Sequence, residues 1–87
     1  MKYKLSIKKQ ALKSLQRLPL KEIEKINSKI LILEKNPRPP SSKKLKGYEN
    51  IFRIRIGNYR IVYSVYDKLL TVEIIYIAHR KNIYSGF

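Results

Sequence analysis

An 87-residue chain with no cysteine, one histidine and a net charge of +14 is long enough for one hydrophobic core and too short for two domains, so residues 1–87 are expected to form a single unit. Disulfides, thiolate metal sites, a cysteine nucleophile and a multi-histidine centre are excluded, and no metal or cofactor is expected. The apolar content of 44% argues against disorder, and the longest unbroken apolar run, Ile74 to Ala78, is far too short to cross a bilayer. The opening "MKYKLSIKKQ" threads charges through its apolar residues and has no signal-peptide pattern, so a cytoplasmic protein is expected.

In chain order, "KYKLSIK" alternates Tyr3, Leu5 and Ile7 with polar residues and predicts an opening strand. Residues 9–18 place Ala11, Leu12, Leu15 and Leu18 at helical spacing, and Pro19 interrupts, suited to the first turn of a second helix. In that helix Ile23, Ile26, Ile30 and Leu33 form one apolar stripe, which ends near "NPRPP" because proline cannot continue a helix. Residues 36–47, "NPRPPSSKKLKG", read as a loop.

The next stretch, "IFRIRIGNYRIVYSV", alternates apolar and basic residues on either side of Gly57-Asn58, a hairpin signal. A two-residue loop there sets Ile56 opposite Tyr59, Arg55 opposite Arg60, Ile54 opposite Ile61 and Arg53 opposite Val62. All three arginines then share one face, although like charges directly opposite each other are destabilising. An anion bound to that face would resolve the conflict. A third run, "LLTVEIIYIAH", is expected to pair with the second strand through a turn at Asp67-Lys68, setting Ser64 opposite Thr71, Val62 opposite Glu73 and Arg60 opposite Ile75. In this register Ile54, Ile56, Tyr59, Ile61, Tyr63, Val65, Leu70, Val72, Ile74 and Tyr76 face the helices. Arg53, Arg55, Arg60, Ser64, Tyr66, Thr71, Glu73 and His79 occupy the opposite, open face. The expected fold class is α+β: a strand, two N-terminal helices, and an antiparallel sheet with both helices on one side.

The charge is uneven, with 14 Lys+Arg against 4 acids in residues 1–50 and 6 against 2 in residues 51–87. Such an excess favours a polyanionic partner, either nucleic acid or an acidic protein segment. Arginines bind phosphate oxygens bidentately and stay charged, so Arg53, Arg55 and Arg60 make a candidate phosphate clamp. Cleaving RNA through its own 2′-hydroxyl needs a base, stabilisation of charge on phosphorus, and an acid for the leaving oxygen. His79 is a candidate base, and its expected strand parity sets it on the arginine face. Glu49, Lys44 and Lys46 are the other candidates, and Lys43, Lys44, Lys46 and Lys81 are candidate RNA contacts.

"KLKGYENIFRIRIGNYRIVYSV" followed by "HRKNIY" resembles the signature of RelE-type toxins of the RelE/ParE superfamily, the toxic halves of type II toxin-antitoxin modules, over almost the whole chain. The resemblance implies a RelE-like fold and a metal-independent endoribonuclease that cleaves mRNA in the ribosomal A site. It also implies a RelB-like antitoxin wrapped around the toxin. Carried over position by position, the family's catalytic residues fall on Arg53, Arg55, Arg60, Arg80 and Tyr84. Both second-strand positions are arginine here, where the best-studied members often have lysine. Two alternatives remain at this point: a ParE-like member that poisons DNA gyrase without a nuclease site, and a nucleic-acid-binding module without catalysis.

Overall fold

The computed structural model describes residues 2–79, so the expected roles of Arg80, Lys81 and Tyr84 lie outside the described residues. The chain runs β1 (Lys4–Ile7), α1 (Lys9–Gln16), α2 (Leu20–Ile32), β2 (Lys43–Lys44), β3 (Ile51–Ile56), β4 (Tyr59–Tyr66) and β5 (Thr71–His79). The strands form one sheet in the order β1-β5-β4-β3-β2, with β1 parallel to β5 and every other pair antiparallel. Among the described residues no helix is long and apolar enough to cross a membrane.

Both helices cover the same side of the sheet, α1 against β5 and α2 against β3. Pro19 sits just before α2 as its N-cap, one position earlier than expected, and its carbonyl accepts the Glu22 and Ile23 amides at 2.9 and 3.1 Å. Glu22 in the first turn suits the positive end of the helix dipole. Ala11 and Leu15 from α1, with Ile26, Ile30 and Leu33, close over Phe52, Ile54, Ile56, Ile61, Tyr63, Val65, Val72, Ile74 and Ile77. Each fully buried aliphatic side chain in that layer stabilises the fold by about 1.5–3 kcal/mol, offset by lost conformational entropy.

The β3–β4 register is the expected one at every position, Ile56 to Tyr59 through Arg53 to Val62. Gly57 takes a φ of 59°, a left-handed conformation that glycine adopts at no steric cost. The β4–β5 register differs from expectation in two ways. The connection is a four-residue loop, Asp67 to Leu70, so Ser64 pairs with Glu73 and Tyr66 with Thr71. Asp67-Lys68 has no glycine to supply the positive φ that a two-residue hairpin loop needs, and Leu70 instead takes a left-handed φ of 47° one residue before β5. A β-bulge then follows between Val62 and Tyr63: Tyr63 pairs with Ile74 but Val62 with Tyr76, leaving Ile75 as the extra residue. The Ile75 carbonyl accepts the Gln10 side-chain amide at 3.3 Å.

That bulge reverses the side-chain parity of the rest of β5. Ile77 pairs with Ile61 and His79 with Tyr59, so both lie on the helix side, while Tyr76 moves to the arginine face opposite Val62. His79 is therefore not on the arginine face. Its ring meets Tyr59 edge-on at 5.4 Å.

Candidate functional site

The arginine face is best followed in rows across the strands. One row runs Lys43, Arg53, Val62, Tyr76 over β2 to β5, and the next runs Arg55, Arg60, Ala78 over β3 to β5. Opposed residues in an antiparallel ladder have Cβ atoms about 4.5–5.5 Å apart, so four cations from three strands converge. They line a pocket of about 300 Å³ whose residues are Ser41, Lys43, Arg53, Arg55 and Arg60. Val62 is buried beside them, 1% exposed, although it lies outside the main core cluster.

Among the described residues no carboxylate forms a salt bridge with these four cations; the two ion pairs there are Lys2–Glu34 and Arg38–Asp67. The Arg60 Nε–H is buried without a hydrogen-bond partner among the described residues, a guanidinium donor that protein interiors normally satisfy. Glu73 shares this face opposite Ser64, but Ser64 is four residues along β4 from Arg60, about 13 Å of strand. A concave site with several cations and one hydroxyl suits a phosphate diester: arginine forks take its oxygens in pairs, and Ser41 can both donate and accept.

The other expected site residues fall elsewhere. Lys44 pairs with Phe52 and so belongs to the helix-side row. With Lys46 and Glu49 it lines a separate hollow around Gly47 and Tyr48. Those three residues are thus not part of the arginine pocket. Ser41 was not singled out from sequence, because β2 is two residues long, too short to show a period that would bring "SSKK" beside the hairpin.

The segment leading into β2 is tied down at several points. Arg38 donates to both carboxylate oxygens of Asp67 at 3.2 and 2.7 Å, and the Tyr3 hydroxyl donates to the same carboxylate at 2.7 Å. The Arg38 guanidinium lies 5.3 Å from the centre of the Phe52 ring, and Phe52 stacks on Tyr63 at 5.9 Å. The buried Tyr63 hydroxyl donates to the Pro37 carbonyl at 2.8 Å, and burial pushes its pKa up. The hydrogen bonds from Arg38 and then Tyr3 hold the Asp67 carboxyl below its ordinary range. A depressed carboxyl contributes stability that is fully present above its unfolded value, about 3.9, and is lost as pH falls through the folded one, so this tie is complete at neutral pH.

The family described as the ParE toxin of type II toxin-antitoxin systems matches residues 5–84. This chain belongs to the RelE/ParE toxin superfamily. A candidate toxin of Methanocaldococcus jannaschii, RelE1, is 34% identical over 99% of both chains. Among solved structures, the archaeal RelE–RelB complex from Pyrococcus horikoshii is 34% identical, with a TM-score of 0.82 over 92% of this chain and 97% of that one. The intact RelBE toxin-antitoxin complex of Escherichia coli is 28% identical, with a TM-score of 0.79 over 88% and 95%. The RelE-like α+β fold and the RelE-type resemblance expected from "KLKGYENIFRIRIGNYRIVYSV" and "HRKNIY" are borne out. In this toxin fold the arginine pocket occupies the face that the two helices leave uncovered.

Proposed function

We propose that this chain is the toxin of a type II module and a ribosome-dependent endoribonuclease, cleaving mRNA in the A site. The observation that carries the reading is the pocket of Lys43, Arg53, Arg55 and Arg60, with no paired carboxylate among the described residues. The 2′-hydroxyl gives up its proton to a base as its oxygen attacks the adjacent phosphorus, and the bond to the 5′-oxygen breaks as that oxygen takes up a proton, giving a 2′,3′-cyclic phosphate and a 5′-hydroxyl. Negative charge builds on the non-bridging oxygens along that path, and preorganised guanidinium donors lower the barrier by binding the phosphorane more strongly than the diester. None of the five pocket residues is a carboxylate or an imidazole, so charge stabilisation is the role this set supplies. His79, turned to the helix side against Tyr59, is set aside as the base.

The partner we propose is a RelB-like antitoxin, as in the Pyrococcus and Escherichia complexes. The +14 charge favours an acidic chain, and Leu12, Leu20, Leu31 and Ile32 on the helices are 40%, 70%, 54% and 49% exposed, apolar area that an amphipathic helix could cover.

A second reading is favoured by the name of the matching family, ParE toxin: a gyrase-directed toxin with no nuclease site. Pulse labelling after induction without an antitoxin separates the two. The nuclease reading expects methionine incorporation to collapse within minutes while thymidine incorporation continues. Early loss of thymidine incorporation with protein synthesis intact would instead support the gyrase reading.

A further inference from the structure

The pocket's fourth cation and its one hydroxyl come from a segment with little sheet of its own: Lys43 lies on a two-residue strand and Ser41 precedes it. We propose that Asp67, Arg38 and Tyr3 are positioning residues that set Lys43 and Ser41 in the pocket, an inference that rests on reading the pocket as a phosphate site.

The connection can be followed bond by bond. The bidentate Arg38–Asp67 pair and the Tyr3 hydroxyl fix residue 38 to the β4–β5 loop. The Arg38 amide donates to Asn36 Oδ1 at 3.2 Å, and Tyr63 holds Pro37 from below. Pro39 and Pro40 follow, each with φ locked by its ring, so little freedom is left to absorb a shift. The Ser42 amide and hydroxyl both donate to the Pro39 carbonyl, at 2.9 and 2.7 Å, closing a turn that delivers the chain to Lys43 beside Arg53.

Energy considerations favour a positional over a global role. The Arg38 and Asp67 side chains are 42% and 57% exposed, and exposed pairs contribute little to overall stability. Bidentate geometry nevertheless fixes orientation, because both N–H vectors must be satisfied together. Asp67, just past the end of β4, is five residues from Val62, which pairs with the pocket residue Arg53, and seven from Arg60, about 16 and 23 Å of strand, both beyond the roughly 10 Å Debye length at 0.1 M salt. Its direct charge effect on an anion in the pocket is therefore largely screened. What influence it has on RNA by charge alone is repulsive, so neutralising Asp67 should strengthen binding slightly unless the clasp positions the pocket.

The test is a double-mutant cycle with a single-stranded RNA oligonucleotide as the probe, each variant being checked for an unchanged melting temperature. Lys43→Ala should weaken binding about tenfold, the loss of one charge-assisted contact. Asp67→Asn should weaken it three- to fivefold, roughly, since the Tyr63–Pro37 tie remains. The double variant should be weaker than Lys43→Ala alone by no more than about twofold, the share left to Ser41, because a mispositioned lysine no longer matters once it is gone. Tyr3→Phe, which removes one hydroxyl, serves as the second variant if Asp67→Asn does not fold, and should show the same non-additivity. If Lys43→Ala weakens binding while Asp67→Asn and Tyr3→Phe do not, or if the losses simply add, the positioning inference falls and the phosphate pocket stands. If Lys43→Ala has no effect, the phosphate reading of Lys43 falls, and the inference with it.

Discussion

Replacing Arg60 with alanine should lower the single-turnover rate of cleavage of ribosome-bound mRNA by about 10²- to 10³-fold, the usual cost of removing one preorganised donor to a developing anion. Arg60 is singled out because it lines the pocket directly across the ladder from Arg55, so two guanidinium groups from neighbouring strands meet there. Lysine keeps the charge but loses the planar fork, so Arg60→Lys should fall between wild type and Arg60→Ala. Stability should move the other way or not at all. Truncating Arg60 relieves the like-charge opposition with Arg55 and leaves the core cluster untouched. An inactive variant that melts at or above the wild-type temperature is the signature of a residue kept for function. A slow variant that also melts early would leave the rate loss to unfolding, and a wild-type rate would remove Arg60 from the mechanism.

RNA binding should be steeply salt-dependent. If the four pocket cations reach past the scissile phosphate to its neighbours and together neutralise four phosphates of single-stranded RNA, log affinity should fall against log salt with a slope of about −2.8, at roughly −0.7 per phosphate. A tenfold rise in salt then lowers affinity about 600-fold. Arg55→Ala should flatten the slope to about −2.1. A scattered lysine surface would also give a salt slope, but no single substitution would change it by one phosphate's worth. The slope measured for Arg55→Ala therefore separates a defined clamp from a diffuse basic face, and an unaltered slope argues for the latter.

The hairpin was fully legible in the sequence because Gly57-Asn58 leaves one possible register: two residues of loop, with unbroken alternation on both sides, set every cross-strand pair from Ile56–Tyr59 onward. The opposition of Arg55 and Arg60 followed from that alone. The β4–β5 pairing was not legible, for two physical reasons. Alternation in "LLTVEIIYIAH" fits several loop lengths equally well, and the run Ile74, Ile75, Tyr76, Ile77 has no polar residue to mark where the bulge inserts an extra position. A single unrecorded bulge carries every later side chain to the other face, which is why Tyr76 and His79 exchanged sides relative to expectation. Lys43 was an expected RNA contact, but its place beside Arg53, the contribution of Ser41 and the Arg38–Asp67 tie depend on contacts 29 residues apart in sequence and on a two-residue strand, neither of which leaves a periodic trace. The place of β1 beside β5 was likewise open, since a lone parallel strand can join either edge of a sheet.

Whether the arginine pocket cleaves mRNA on the ribosome is read out by primer extension on one defined mRNA, incubated with the toxin in the presence and absence of programmed ribosomes. New 5′ ends are expected inside the A-site codon with ribosomes, none at equal protein concentration without them, and they should disappear with Arg60→Ala. Folded wild-type protein that leaves ribosome-bound mRNA intact would contradict that role, as would cuts that appear equally on naked RNA.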